Sequence, residues 1–130
     1  RMSLIKATGT KPELALEQHL QNAGLEFEKG RNDLPGKPDF VLTCGKVVVF
    51  LDGDFWHGKD LPEWEYKLSP YWHKKIHRNM ERDKKNNCVL RREGWSVIRI
   101  WESDLMKKPK WCMQRIKRAC WRKKQQAKNL

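Results

Sequence analysis

The stretch 34–58, LPGKPDFVLTCGKVVVFLDGDFWHG, constrains this chain more than any other. Two apolar runs, 40–43 and 47–51, are rich in β-branched and aromatic residues and are separated only by Cys44, Gly45 and Lys46. Short runs of that composition joined through a glycine predict a β-hairpin. Pro38-Asp39 opens the first strand, Asp52-Gly53-Asp54 closes the second, and His57 follows directly after Phe55 and Trp56. A hairpin sets the start of one strand beside the end of the other, so Asp39 and Asp52 are expected at neighbouring strand ends. Carboxylates at the ends of apolar strands are costly without a partner. A shared divalent cation accounts for both; a turn cap at Asp39 and a solvated Asp52 are the plainer alternative.

The flanks supply further candidates. Thr10 is a suitable N-cap, Pro12 lies in the first turn and Gly24 ends the helix, with Leu16, Leu20 and Ala23 as its apolar stripe. Glu13 falls at the edge of that stripe, where it either complements the helix dipole or points toward a metal site. Residues 25–29 read as a short strand, 30–38 as a loop, and 58–70 as a loop carrying Trp64 and Tyr66. Ser69-Pro70 starts a long helix that should run to Glu93 and stop at Gly94. Trp72, Ile76, Met80 and Leu90 share one sector of it, and Asp83 and Asn87 fall in the same sector, so an acid faces inward. That position suits a hydrogen-bond network or a functional site. The remaining faces are basic, with Lys74, Lys75, Arg78 and Arg82 followed by Lys84, Lys85, Arg91 and Arg92. His73 and His77, one turn apart on this helix, read as phosphate contacts or exposed side chains rather than as a two-His zinc site, and Asp60, Glu63 and Glu65 as surface charges. Residues 95–101 form a returning strand, 102–109 a connection, and 110–124 a last helix with Cys112, Ile116, Ala119 and Cys120 on one side.

The charge balance narrows the partner. The 130 residues hold 28 Lys and Arg against 16 Asp and Glu, a net charge of +12, and no acid follows Asp104. So uneven a balance points to a polyanion, nucleic acid above all. Seven Trp residues interleaved with basic ones suit base stacking as well as a core. The four cysteines form no CxxC pair and have no His at zinc-finger spacing, which favours reduced, packed thiols in an intracellular protein. No apolar run approaches the roughly 18 residues of a membrane span. A first residue of Arg rather than Met reads as a fragment. One domain over 1–130 is expected, with 1–9 as an N-terminal arm and 105–130 as a basic helix and tail.

Metal-assisted phosphodiester hydrolysis needs oxygen ligands, a group that activates water, and charge stabilisation at the phosphate. Asp39 and Asp52 meet the first need and His57 the second. Pro38-Asp39 and Asp52-Gly53-Asp54 approximate the PD-(D/E)xK nuclease signature, with Asp54 where that pattern has Lys. The chain further resembles the very short patch repair (Vsr) endonucleases, bacterial enzymes that nick beside T:G mismatches. The similar pieces are Met2, TKPELALEQHL, LPGKPDF, VVVFLDGDFWHG and YWHKKIHRNMERDKKNNCVLRREGWSVIRIWE, in family order over nearly all of 2–104.

The resemblance implies an α/β, restriction-endonuclease-like fold, a mixed sheet flanked by helices, with Mg²⁺ (Mn²⁺ as substitute) at a carboxylate site and double-stranded DNA as partner. Asp39 matches the family's metal-binding Asp, Leu51 the residue lending a backbone carbonyl, and Glu13 the helix carboxylate acting through metal-bound water. His57 matches the proton-transferring His, Phe55 and Trp56 the aromatics that wedge into DNA, and Met2 an intercalating residue on the arm. Asp83 falls where the family carries an Asp on its long helix. A bacterial or phage-encoded, cytoplasmic protein is implied. Two departures stand out. Asp52 occupies a family His position, and the family's structural zinc ligands fall at Asp54, Lys59, Leu61 and Ser103, so no structural zinc is expected. Glu13, Asp39, His57 and Asp83 also satisfy the pattern of Vsr-like homing endonucleases. Mismatch repair, restriction-type or homing cleavage of matched DNA, and a cleavage-deficient DNA-binding module all stay open.

Overall fold

A computed structural model describes residues 9–128; Met2 and the rest of the expected arm, apart from Gly9, lie outside the described residues. The Thr10 hydroxyl accepts a hydrogen bond from the Glu13 N–H at 3.4 Å and starts α1, Lys11–Asn22, which buries Leu16 and Leu20 completely. Gly24, at φ +71°, turns the chain out of the helix toward β1, Phe27–Lys29. The hairpin forms as expected from β2, Phe40–Leu42, and β3, Val47–Asp52, antiparallel and in the register Phe40 opposite Val49. Its connection bends through Gly45 at φ +119°, a conformation that L side chains rarely adopt.

The sheet is completed by β4, Ser96–Trp101, in the order β1-β2-β3-β4. β4 lies parallel to β3, with Leu51 beside Ile100 and Asp52 beside Trp101. A parallel pair needs a crossover. Here it contains α3, Pro70–Arg92, started by Ser69, whose side chain accepts from the Trp72 N–H, and left through Gly94 at φ +93°.

Every residue of β3 is buried, because both faces of the sheet are covered. Val47, Val49 and Leu51 pack with Leu16 and Leu20 of α1 and with Ile116 and Cys120 of α5, Pro109–Lys128. Val48 and Phe50 pack with Val41, Val97 and Leu90 of α3. Strand alternation therefore turns Asp39, Phe50, Asp52 and Arg99 toward α3. Each apolar side chain of β3 contributes about 1.5–3 kcal/mol by burial, which makes this strand a rigid base for the acid at its end. The fold is a mixed four-stranded sheet flanked by helices, consistent with a restriction-endonuclease-like architecture.

Some elements differ from the sequence reading. The expected loop at 58–70 contains α2, Leu61–Trp64, and a 3₁₀ turn, Glu65–Lys67. The expected connection at 102–109 contains α4, Glu102–Lys107. Each short helix is anchored by a single buried residue, Leu61 or Leu105, and one apolar residue creates no periodicity to read. β1 starts two residues late, and α5 runs on to Lys128 through Lys, Gln and Ala, good helix formers without an apolar stripe. Cys112 and Cys120 are buried, Cys44 is half-buried and Cys88 exposed, all as free thiols. Burial and the hydrogen bond with Cys44 push the Cys120 thiol up to about 12. Among the described residues, no helix is long and apolar enough to cross a membrane.

Candidate active site

Three charged side chains are buried among the described residues: Glu13, 6% exposed, Asp39, 9%, and Asp52, 4%. All three are carboxylates singled out from the sequence, and all three line one open cleft of about 670 Å³. His57, Asp83 and Leu51 border the same cleft. The structure thus brings together every expected catalytic residue, from α1, the β2–β3 strand ends, the loop after β3, and α3.

Asp39 Oδ2 accepts a hydrogen bond from the Leu51 N–H at 2.7 Å, which fixes the carboxylate against the end of β3. The N–H and C=O of one strand residue point the same way, so the Leu51 carbonyl opens on that flank too. Glu13 Oε2 accepts from the Gly9 N–H at 2.7 Å and lies 3.5 Å from Lys29 Nζ.

Asp52 is held differently. Arg99 Nη1 donates to both of its oxygens, at 3.0 and 3.1 Å. The guanidinium lies 4.0 Å over the Phe50 ring, its Nε donates to Asn87 Oδ1 at 2.8 Å, and its Nη2 stands 3.7 Å from Asp83 Oδ1. Asp52, expected to hold metal, is bound here by Arg99, a residue not singled out from the sequence. Its signal was there: strand alternation turns one cation of 95–101 inward, toward the acids.

His57 Nδ1 is 2.6 Å from Asp83 Oδ2 and 3.8 Å from Asp52 Oδ1. Burial disfavours the imidazolium, but the hydrogen bond to Asp83 and the charges of Asp52 and Asp83 outweigh it and raise the His57 pKa. Burial likewise raises the Asp52 carboxyl, against the opposing pull of His57 and Arg99. An imidazole held by one carboxylate at Nδ1 is left with Nε2 as its working nitrogen, suited to proton transfer.

Of the expected DNA contacts, Trp56, Lys75 and Arg82 line the cleft, while Lys74 and Arg78 border a smaller depression that shares Lys75. Phe55 does not line the cleft; it stacks on Trp64, with ring centroids 5.6 Å apart, and meets Trp72 edge-on at 5.7 Å. Asn79 holds the loop by donating to the Trp56 carbonyl at 3.1 Å, and Arg82 donates to Asn79. Neither Asn79 nor Glu102, a further acid lining the cleft, was singled out from the sequence.

The four positions at which the resemblance implies zinc ligands do not suit zinc here. Lys59 Nζ donates to Ser103 Oγ at 2.7 Å and to Asp104 Oδ1 at 3.1 Å, and the Ser103 N–H donates to Asp54 Oδ1 at 3.3 Å. An ammonium group sits within this knot, and none of the four residues carries the thiolate or imidazole that zinc favours.

Comparison with known proteins follows the same lines. The family described as DNA mismatch endonuclease Vsr matches residues 1–63. The chain is 41% identical to the type II nicking enzyme V.NmeDIP of Neisseria meningitidis serogroup C over 120 residues, 88% of this chain and 79% of that protein. It is 39% identical to the type II nicking enzyme V.HpaIIP of Haemophilus parainfluenzae over 119 residues, 89% of this chain and 84% of that one. It is 34% identical to the DNA mismatch endonuclease Vsr of Escherichia coli K12 over 106 residues, 80% of this chain and 68% of that one. With its buried carboxylates, histidine–aspartate pair and basic cleft wall in place, the chain belongs to the Vsr family of DNA endonucleases.

Proposed function

We propose that the protein is a Mg²⁺-dependent nickase that hydrolyses one strand of double-stranded DNA. The observation that carries the reading is the meeting of Glu13, Asp39, His57 and Asp83 in one cleft whose wall is lined by Lys75 and Arg82. Asp39, the Leu51 carbonyl and Glu13 are oxygen donors, the set that Mg²⁺ prefers, and Mn²⁺ takes the same ligands. Asp39 and the Leu51 carbonyl would hold the ion, and Glu13 would act through a bound water. When bound, the ion supplies charge neutralisation at the phosphoryl group and a more acidic water.

The side chains do the rest. Asp83 holds His57 with its proton on Nδ1, so that Nε2 accepts a proton from the attacking water. Asp52, engaged by Arg99, adds negative charge beside the imidazole and stabilises its protonated form. Lys75 and Arg82, with Lys74 and Arg78 beyond them, hold the phosphate backbone and position the scissile bond. Trp56, at the cleft rim, is placed to stack against an opened base pair, backed by Phe55.

The test is a nicking assay on supercoiled plasmid and on matched, T:G and other mismatched duplexes, with Mg²⁺, with Mn²⁺ and with EDTA. Nicking that needs the metal and is lost in Asp39→Ala, with DNA binding retained, is the expected result. Binding without nicking on every substrate would reduce the chain to a DNA-binding module. Equal rates on matched and mismatched duplexes would move the substrate from mismatches to matched sites.

A further inference from the structure

The cleft uses one of the histidines. Two others stand together outside it. His73 and His77 lie one turn apart on α3, with ring centroids 4.4 Å apart. At helical spacing they fall on a different flank from Lys75, Asn79 and Arg82, which line the cleft. Both rings turn Nε2 toward a single carboxylate, Glu65 of the 3₁₀ turn. The distances are 3.0 Å from His73 to Oε1 and 3.3 Å from His77 to Oε2. One ligand atom from each residue lies within 4.8 Å of the others. The side chains are 47%, 44% and 36% exposed, so an ion reaches them directly from solvent.

Glu65, expected as a plain surface charge, therefore joins two imidazoles presented at the i, i+4 spacing that places both nitrogens on one helix face. Two imidazole nitrogens and one carboxylate oxygen form a borderline-soft set. Zn²⁺ takes such a set with a fourth position left to water, whereas Mg²⁺ demands oxygens. We infer that Glu65, His73 and His77 form a second metal site, selective for Zn²⁺ and ions of its class and separate from the catalytic cleft.

The surroundings give the site a structural role. Glu65 follows Trp64, which stacks on Phe55, and His73 follows Trp72, which meets both Phe55 and Trp56 edge-on at 5.7 and 5.6 Å. An ion shared by the three ligands ties the 61–67 segment to the start of α3 beneath this aromatic cluster. Trp56, which lines the cleft, rests on the same cluster. The site is thus a staple for the aromatic rim of the cleft, and the chemistry stays with His57.

The experiment is a Co²⁺ titration of the untagged full chain, read by visible d–d absorption and tryptophan fluorescence, followed by displacement with Zn²⁺. One nitrogen-ligated site per chain is expected, insensitive to excess Mg²⁺. Glu65→Gln, His73→Ala and His77→Ala should each weaken it by at least about tenfold, since losing even an outer partner of a metal ligand costs about 10–100-fold. Asp83→Asn, which alters the other histidine–carboxylate cluster, should leave it intact. All five variants, the His73→Ala/His77→Ala double included, are checked by circular dichroism, and Glu65, His73 and His77 are solvent-accessible enough for their replacement to spare the fold. The absence of a nitrogen-ligated Co²⁺ spectrum overturns the inference. So does a site that survives in the His73→Ala/His77→Ala double variant or is lost in Asp83→Asn.

Discussion

Nδ1 of His57 stands 2.6 Å from Oδ2 of Asp83, although 26 positions separate the two residues in the chain. One comes from the loop after the central strand and the other from the middle of the crossover helix. Their contact sets which nitrogen of the imidazole holds a proton and which is free to take one. Asp83→Asn keeps the shape but replaces the accepting oxygen with an amide. The nicking rate should fall by about 10²–10⁴-fold, the range for loss of a working general base. His57→Ala should cost about as much, and the double variant little more, because the two act as one unit. Single-turnover nicking with DNA affinity measured in parallel checks this.

The raised pKa of His57 gives two trends of opposite sign. As a base the imidazole must be neutral, so the nicking rate should climb as pH rises through a value above the ordinary 6.5 and then level off. Stability moves the other way. The folded chain binds the proton more tightly than the unfolded one, so this contribution is complete below about 6.5 and is lost as pH rises through the folded value. In Asp83→Asn both transitions should shift to lower pH. A pH–rate profile and urea midpoints over the same range read the two trends.

Arg99 and Asp52 form an ion pair with side chains only 18% and 5% exposed. Arg99→Met removes one cation and leaves Asp52 and Asp83 with only His57 to offset them, so it should destabilise the fold by about 3–5 kcal/mol. Adding Asp52→Leu should recover much of that loss, because replacing a buried pair by apolar groups is often neutral. Urea unfolding of the two variants separates these outcomes. Recovery of stability without recovery of nicking would show that the acid serves the reaction rather than the fold.

DNA affinity should fall steeply with salt. Each phosphate contact adds about 0.9 to the slope of log K against log salt on duplex DNA. Lys75→Ala and Arg82→Ala, on the cleft wall, should each reduce the slope by about that amount, with matched and mismatched duplexes affected alike. Trp56→Ala should leave the slope unchanged and weaken binding by about 1–3 kcal/mol, the usual worth of a base–aromatic stack. Binding isotherms at several salt concentrations distinguish the two kinds of loss.

The amino-acid order alone determined the elements whose signals are local. The β-branched runs around Gly45 spelled the hairpin, Ser69-Pro70 and Gly94 bounded α3, and Asp39, Asp52 and Asp83 stood out as acids placed where apolar residues belong. Charge where a periodic pattern expects none is visible without coordinates. The tertiary structure decided what those acids touch. The parallel crossover sets β4 beside β3 and brings Arg99 to Asp52, 47 positions away. It also brings Ser103 to Lys59 across 44 positions. Glu65 reaches His73 and His77 only because the 58–70 segment folds back along α3. Periodicity and capping act over a few residues, so the sequence displays them directly; ion pairs across a crossover depend on how whole elements pack, and only the assembled chain holds that information.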